Sequence, residues 1–353
     1  MKKSLIALAV LATAGVASAQ SSVTLFGIVD ANLAIGKGSG VGSFDRTSMK
    51  NSGYNSSRLG FRGTEDLGGG MSASFWIEGA LSNDDGNATG LTFQRRSTVS
   101  LAGGFGEIRL GRDYTPQFWN LTVFDPFGTN GVGTTQTLNG TASNPATGAG
   151  LGNLGGGTTV RANNSFGYFL PRNLGGFYGQ AQYYLGEQAQ NGAVTEDDGT
   201  GYGVRVGYAA GPVNVALAFS KTNATAAGIS ADVSSSNIGG QYDFGVAKLM
   251  AHYARNRVDN GATGKGYLVG GLIPMGAGEI RLAYSRYKTT AAGSPESKKY
   301  AIGYVHNLSK RTALYTTYAR VSNGGGANSS LNDAVTAANN KSSGFDLGIR
   351  HSF

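Results

Sequence analysis

The chain has 353 residues, 29 Lys and Arg against 21 Asp and Glu, 58 glycines and no cysteine. Absence of cysteine excludes disulfides, thiolate metal sites and cysteine nucleophiles, while 17 Tyr and 16 Phe argue against disorder, which accompanies few aromatics. A mean hydropathy of -0.17, with no apolar run of roughly 20 residues, excludes a helical membrane protein.

The chain opens with basic Met1-Lys2-Lys3, an apolar run from Leu5 to Val16, and Ala17-Ser18-Ala19. That three-part layout marks residues 1–19 as a secretory signal peptide. The expected mature chain, 20–353, then carries 27 basic residues against 21 acidic ones, a net charge of +6. Basicity alone is compatible with anionic solutes, anionic lipid or nucleic acid.

From Val23 onward the dominant signal is period two. Val23, Leu25, Gly27, Val29, Ala31 and Leu33 share one face, while Thr24, Asp30 and Asn32 share the other with Phe26 and Ile28 as exceptions. Such alternation describes a strand with one apolar and one polar side. Met71, Ala73, Phe75 and Ile77 likewise oppose Ser72, Ser74, Trp76 and Glu78, and Val99 and Leu101 oppose Thr98 and Ser100. Tyr202, Val204, Val206 and Tyr208 oppose Gly203, Arg205 and Gly207; at the end Phe345, Leu347, Ile349, His351 and Phe353 oppose Asp346, Gly348, Arg350 and Ser352.

Connections alternate as well. Short turns at 65–69, 103–105, 171–176, 210–212, 243–245, 274–277 and 307–310 separate longer polar segments near 37–56, 82–92, 115–162, 186–200, 222–234, 256–264, 288–296 and 322–343. Seven short turns and eight long loops leave sixteen strands. An even number of antiparallel strands, turned tightly at one end and loosely at the other, is the pattern of an all-β outer-membrane barrel. Closure follows because hydrocarbon offers no partner to a free strand edge. No linker divides residues 20–353, which are read as one domain.

Longer strings resemble the general bacterial porin family, in its β-proteobacterial and Neisseria-type branch. They are Ser22-Val23-Thr24-Leu25-Phe26-Gly27-Ile28-Val29-Asp30, the run from Ser57 to Gly70 that includes Arg58-Leu59-Gly60-Phe61-Arg62, Gly104-Phe105-Gly106, Leu110-Gly111-Arg112, and the terminal Phe353. The resemblance implies a 16-stranded transmembrane β-barrel, a homotrimer, and a third loop folded into the pore. It also implies that Phe353 serves as the signal read by the barrel-insertion machinery. The segment from Pro116 to Val160, the longest without strand alternation, is where that loop is expected.

A pore needs no catalytic constellation, because charged side chains at its narrowest place set selectivity. Parity turns Arg58 and Arg62 inward if Leu59 and Phe61 face outward, and turns Arg96 inward rather than Arg95 unless a bulge intervenes. In the family a basic wall cluster faces the loop, and Arg58, Arg96 and Arg161 occupy the matching places, with Arg95 a competitor for Arg96. The family's loop carboxylates are nearly missing here: Asp125 is the only acid between Pro116 and Val160. A net positive opening is therefore expected, passing chloride, phosphate and small organic acids in preference to cations. A substrate-specific organic-acid channel, with Trp76, Phe118 and Trp119 as aromatic contacts, is the alternative.

Other classes fit poorly. The only histidines are His252, His306 and His351, with no Gly-x-Ser-x-Gly elbow and no metal-ligand spacing, so no enzyme, cofactor or metal site is expected. Bases are scattered over strands, which disfavours nucleic acid. Partners expected are outer-membrane lipid and lipopolysaccharide, the insertion machinery, small anionic solutes and further copies of the chain.

Overall fold

The computed structural model describes residues 22–86, 92–137, 160–226 and 228–353. The expected signal peptide lies outside the described residues. Sixteen staves form one antiparallel sheet that closes on itself among these residues.

The first stave is β1 (Ser22–Lys37); the second, β2, comes in two pieces, Arg46–Asn51 and Arg58–Gly68. Then follow β3 (Met71–Ala80), β4 (Arg96–Gly103), β5 (Gly106–Tyr114), β6 (Arg161–Phe169), β7 (Phe177–Tyr184), β8 (Gly201–Ala210) and β9 (Val213–Thr222). The remainder are β10 (Val233–Asp243), β11 (Lys248–Val258), β12 (Thr263–Met275), β13 (Gly278–Thr289), β14 (Glu296–Asn307), β15 (Thr312–Gly324) and β16 (Lys341–Ser352). Consecutive staves pair throughout, and β1 pairs with β16 from Ile28↔Ser352 to Lys37↔Ser343.

Part of the first long connection differs from the sequence reading. Arg46–Asn51 pairs with the upper half of β1 and Arg58–Gly68 with its lower half, so the expected loop at 37–56 is partly wall. The interruption is held by Asp30, whose carboxylate accepts the backbone N–H groups of Tyr54 (2.9 Å) and Asn55 (2.6 Å) and the Tyr315 hydroxyl (2.5 Å). A buried carboxylate on β1 thus supplies the acceptors that a missing stretch of ladder would have given.

The alternation decides the two faces. Val23, Leu25, Val99, Leu101, Val206, Leu217, Ile302 and Leu347 are exposed on the outside, a continuous apolar skin that water would penalise and hydrocarbon does not. Asp30, Asn32, Thr98, Ser100, Gln182, Asn237, Ser285 and Asp346 point inward and are buried. Short turns are closed by side chains: Asp243 accepts the N–H of Gly245 (2.9 Å), whose φ of +81° suits glycine.

The barrel is not empty. After Thr115, which pairs with Val160 across the loop base, helix α1 (Pro116–Val123) turns inward with proline at its start. Its Asn120 donates to the Ala216 carbonyl (3.1 Å), and Asn237 donates to the Gln117 carbonyl (2.9 Å). Gly239 on the inner wall makes room: a Cβ there would lie 2.1 Å from the Phe124 ring. Farther on, Phe127 and Val132 pack with Leu268, Ala283, Ala301, Ala319, Val321 and Leu331. The loop thereby covers the inner wall from β8 round to β16, and its described part ends at Thr137.

Candidate pore constriction

The wall left uncovered, β2 to β6, carries a connected group of charged side chains. Register places Gly60 opposite Glu78 and Glu78 opposite Arg96, so β2, β3 and β4 bring their polar faces to one level. Glu78, 5% exposed, receives Arg95 Nε at 2.6 Å and Arg58 Nη1 at 3.4 Å on Oε1, and Trp76 Nε1 at 3.1 Å on Oε2. Both carboxylate oxygens are therefore occupied by charge-assisted or indole donors.

Arg95 also donates to the Tyr114 hydroxyl (3.0 Å), and Arg161 donates to the same oxygen (3.1 Å). Arg161 lies over the Tyr114 ring with its guanidinium carbon 4.6 Å from the centroid, and its Nε donates to the Arg95 carbonyl (2.7 Å). Arg58, Glu78, Arg95, Tyr114 and Arg161 thus form one connected row. Two of the three expected wall arginines, Arg58 and Arg161, belong to it.

Arg96 stands in a neighbouring group. Its guanidinium carbon lies 4.6 Å from the Trp76 ring centroid, its Nε donates to Thr98 (3.0 Å), and Asp113 is 3.9 Å away. Asp113 is shared with Arg109 (2.5 Å), which also pairs with Glu107 (2.8 Å). Arg62 lies 5.2 Å from the same Trp76 ring and 5.3 Å from Phe26. The aromatic exception on the polar face of β1 is thus a platform for a cation.

Two expectations need correction. Arg95 and Arg96 both point inward: Arg95 sits on a bend one residue before β4, where strand parity does not yet apply. Asp125 is not a loop carboxylate facing the arginines. It is 3% exposed, and its oxygens accept the N–H groups of Phe127 and Thr135, each at 2.9 Å. Burial pushes its carboxyl above the usual range, and its work is to hold the loop's own shape. Glu78 was legible as inward by parity, yet its role as the hinge of the arginine row follows only from cross-strand register and the Arg95 bend.

Six arginines, Arg58, Arg62, Arg95, Arg96, Arg109 and Arg161, face three carboxylates, Glu78, Glu107 and Asp113, across this wall. Three positive charges are left over.

The sequence profile described as Gram-negative porin matches residues 4–326. The chain belongs to this family. It is an outer-membrane porin with a closed 16-stranded barrel. Outer membrane porin protein 32 of Delftia acidovorans is 42% identical over 363 aligned residues, covering 100% of both chains. The solved anion-selective porin from Comamonas acidovorans superposes with a TM-score of 0.84 at 38% identity, over 94% of this porin and 100% of that chain. Major outer membrane protein P.IB of Neisseria meningitidis serogroup B is 36% identical over 121 residues, 32% of this chain and 34% of its own.

Proposed function

We propose that this porin is a general-diffusion channel that favours anions, with its selective region between the Arg58–Glu78–Arg95–Tyr114–Arg161 row and the inward loop. One observation carries the reading: the loop's sole acid, Asp125, is buried within the loop, so nothing on the loop opposes the surplus of guanidinium groups on the wall. Low-dielectric walls focus that field onto a passing ion. Chloride, phosphate and small organic acids are favoured over cations of equal size, and the preference weakens with salt because the Debye length is about 10 Å at 0.1 M. The similarity to an anion-selective solved porin supports the same sign.

The functional unit in this reading is a homotrimer, and Phe353 is the residue read during barrel insertion. Phe353 closes the seam, its N–H donating to the Gly27 carbonyl (3.1 Å) and its carbonyl accepting the Gly27 N–H (3.2 Å). The test of selectivity is a planar bilayer under a salt gradient. A reversal potential of the anionic sign supports the reading, and a cationic sign overturns it. Flux of a dicarboxylate that saturates, while chloride flux does not, would identify a substrate-specific channel instead.

A further inference from the structure

A cavity on the periplasmic side of α1 is bordered by groups that the arginine row does not use. Parity turns Phe169 on β6, Tyr178 and Gln180 on β7, and Arg205 on β8 into the barrel, and register sets Phe169 opposite Gln180 and Gln180 opposite Arg205. Directly opposed side chains on neighbouring strands start about 5 Å apart, so the Gln180 amide and the Arg205 guanidinium stand side by side. With Leu170 and Pro171 these residues line about 640 Å³, the size of a small-molecule site. Its rim is made by the turn residues Gly104 and Arg172, which belong to short connections and so mark the periplasmic end.

Two adjacent donors have capacity to spare. Gln180 is 8% exposed, and its Nε2 is buried with no hydrogen-bond partner among the described residues. Buried side-chain amides are nearly always bonded, so this donor calls for an acceptor that the chain itself does not supply. Arg205 is buried too. Its Nε donates to the Asn120 amide oxygen of α1 and its Nη2 to the Tyr178 hydroxyl (3.2 Å), and among the described residues no carboxylate lies within ion-pair distance of it.

The other charges at the cavity are accounted for. Arg109 is balanced by Glu107 (2.8 Å) and Asp113 (2.5 Å), and Arg172 is exposed in its turn. The interior therefore offers one uncompensated positive charge with a neutral donor beside it. The rest of the lining is flat and apolar. Phe169 is held under the Arg109 guanidinium, 3.9 Å from carbon to ring centroid, and Tyr178 under that of Arg205, at 4.7 Å. Gly207 lets Tyr178 lie along the wall, because a Cβ there would run into its ring.

We propose that this cavity is a binding site for aromatic monocarboxylates of the benzoate class, with the carboxylate on Arg205 and Gln180 Nε2 and the ring against Phe169 and Tyr178. A guanidinium and an amide side by side suit the two oxygens of one carboxylate, and the aromatic lining suits a flat apolar body. A second carboxylate on the ligand would find no buried cation to receive it. The inference rests on the barrel being a water-filled porin and is independent of the sign of its ion selectivity.

The experiment uses the full-length porin in planar bilayers, with chloride carrying the current, and titrates benzoate, benzamide and succinate. Benzoate is expected to reduce the current saturably. Benzamide, which has the ring without the charge, and succinate, which has charge without the ring, are each expected to need about tenfold more for half block. Gln180→Glu keeps the size of the side chain and sets a carboxylate against Arg205; it raises the half-blocking concentration of benzoate about tenfold or more. Gln180→Leu, which only removes the donor, raises it about threefold. Lys310→Gln, in an exposed turn on another part of the periplasmic rim, leaves it unchanged. Equal half-blocking concentrations for benzoate and either of the other two compounds overturn the proposal, as does an unaltered benzoate block in Gln180→Glu. If that variant does not assemble, the three compounds on the native protein decide. Reversal potentials in chloride salt on the same channels report ion selectivity separately, so failure of this site and failure of the anion preference are told apart.

Discussion

The guanidinium Nε of Arg95 lies 2.6 Å from Glu78 Oε1, although parity within β4 would send position 95 to the outside. The bend before the strand gives this arginine its direction, and Glu78 gives it its place. With side chains 10% and 7% exposed, the pair ties β3 to an arginine that in turn donates to Tyr114 at the base of the inward loop.

Glu78→Gln removes the one carboxylate in the row while keeping its shape. The reversal potential moves further toward the anionic limit, because Arg58 and Arg95 lose their counter-charge. Stability falls by about 1–3 kcal/mol as charge-assisted hydrogen bonds become neutral ones. Salt-gradient recordings and thermal unfolding in detergent measure the two effects.

Arg95→Ala reduces anion preference more than Arg96→Ala does. Arg95 belongs to a row with three guanidinium groups and one carboxylate, whereas Arg96 stands beside Asp113 and within a group that includes Glu107 and Arg109. An equal or reversed order of the two single variants in the same gradient would contradict this assignment.

Trp76→Ala takes away the ring that Arg62 and Arg96 share. Each cation–π contact is worth about 0.5–1 kcal/mol when partly solvated, and the buried Glu78 Oε2 also loses its indole donor, which costs about 1–3 kcal/mol more. The freed guanidinium groups become mobile, and open-channel current noise rises with little change in the sign of selectivity.

Asp125→Ala leaves two buried backbone N–H groups, those of Phe127 and Thr135, without their acceptor. At about 1–3 kcal/mol for each unsatisfied donor, the loop loses its internal fold, and single-channel conductance rises with more frequent sublevels. Acid acts the other way. Burial raises this carboxyl above its unfolded value, so its contribution to stability is present at low pH and is lost as pH rises through the folded value. Conductance at about pH 5 is therefore expected to stay at or below its value at pH 7; a rise on acidification would show that the charged form holds the loop.

Gly27 and Phe353 make a last test, this one of assembly. A Cβ at Gly27 would lie 2.3 Å from the Phe353 ring, so Gly27→Val displaces the terminal aromatic without deleting it. If Phe353 is read during insertion, Phe353→Ser lowers the yield of assembled barrel in the outer membrane more than Gly27→Val does, as heat-modifiable migration on gels reports.

Alternation every two residues was enough to write the barrel. Val23 to Leu33, Met71 to Ile77 and Phe345 to Phe353 each announce one lipid face and one wet face, and fifteen connections count the strands. The same parity pointed Arg58, Arg62 and Glu78 inward correctly, because a regular strand leaves a side chain only two directions. Long-range contact decided the rest. Arg46–Asn51 became wall because the upper half of β1 needed a partner; Arg95 turned inward because it precedes its strand; and Asp125 withdrew from the pore because the loop's own N–H groups had no other acceptor. Periodicity is a local property that the chain carries residue by residue, whereas these three outcomes depend on which hydrogen-bonding groups remain unsatisfied once the cylinder has closed, and that is known only when every stave is in place.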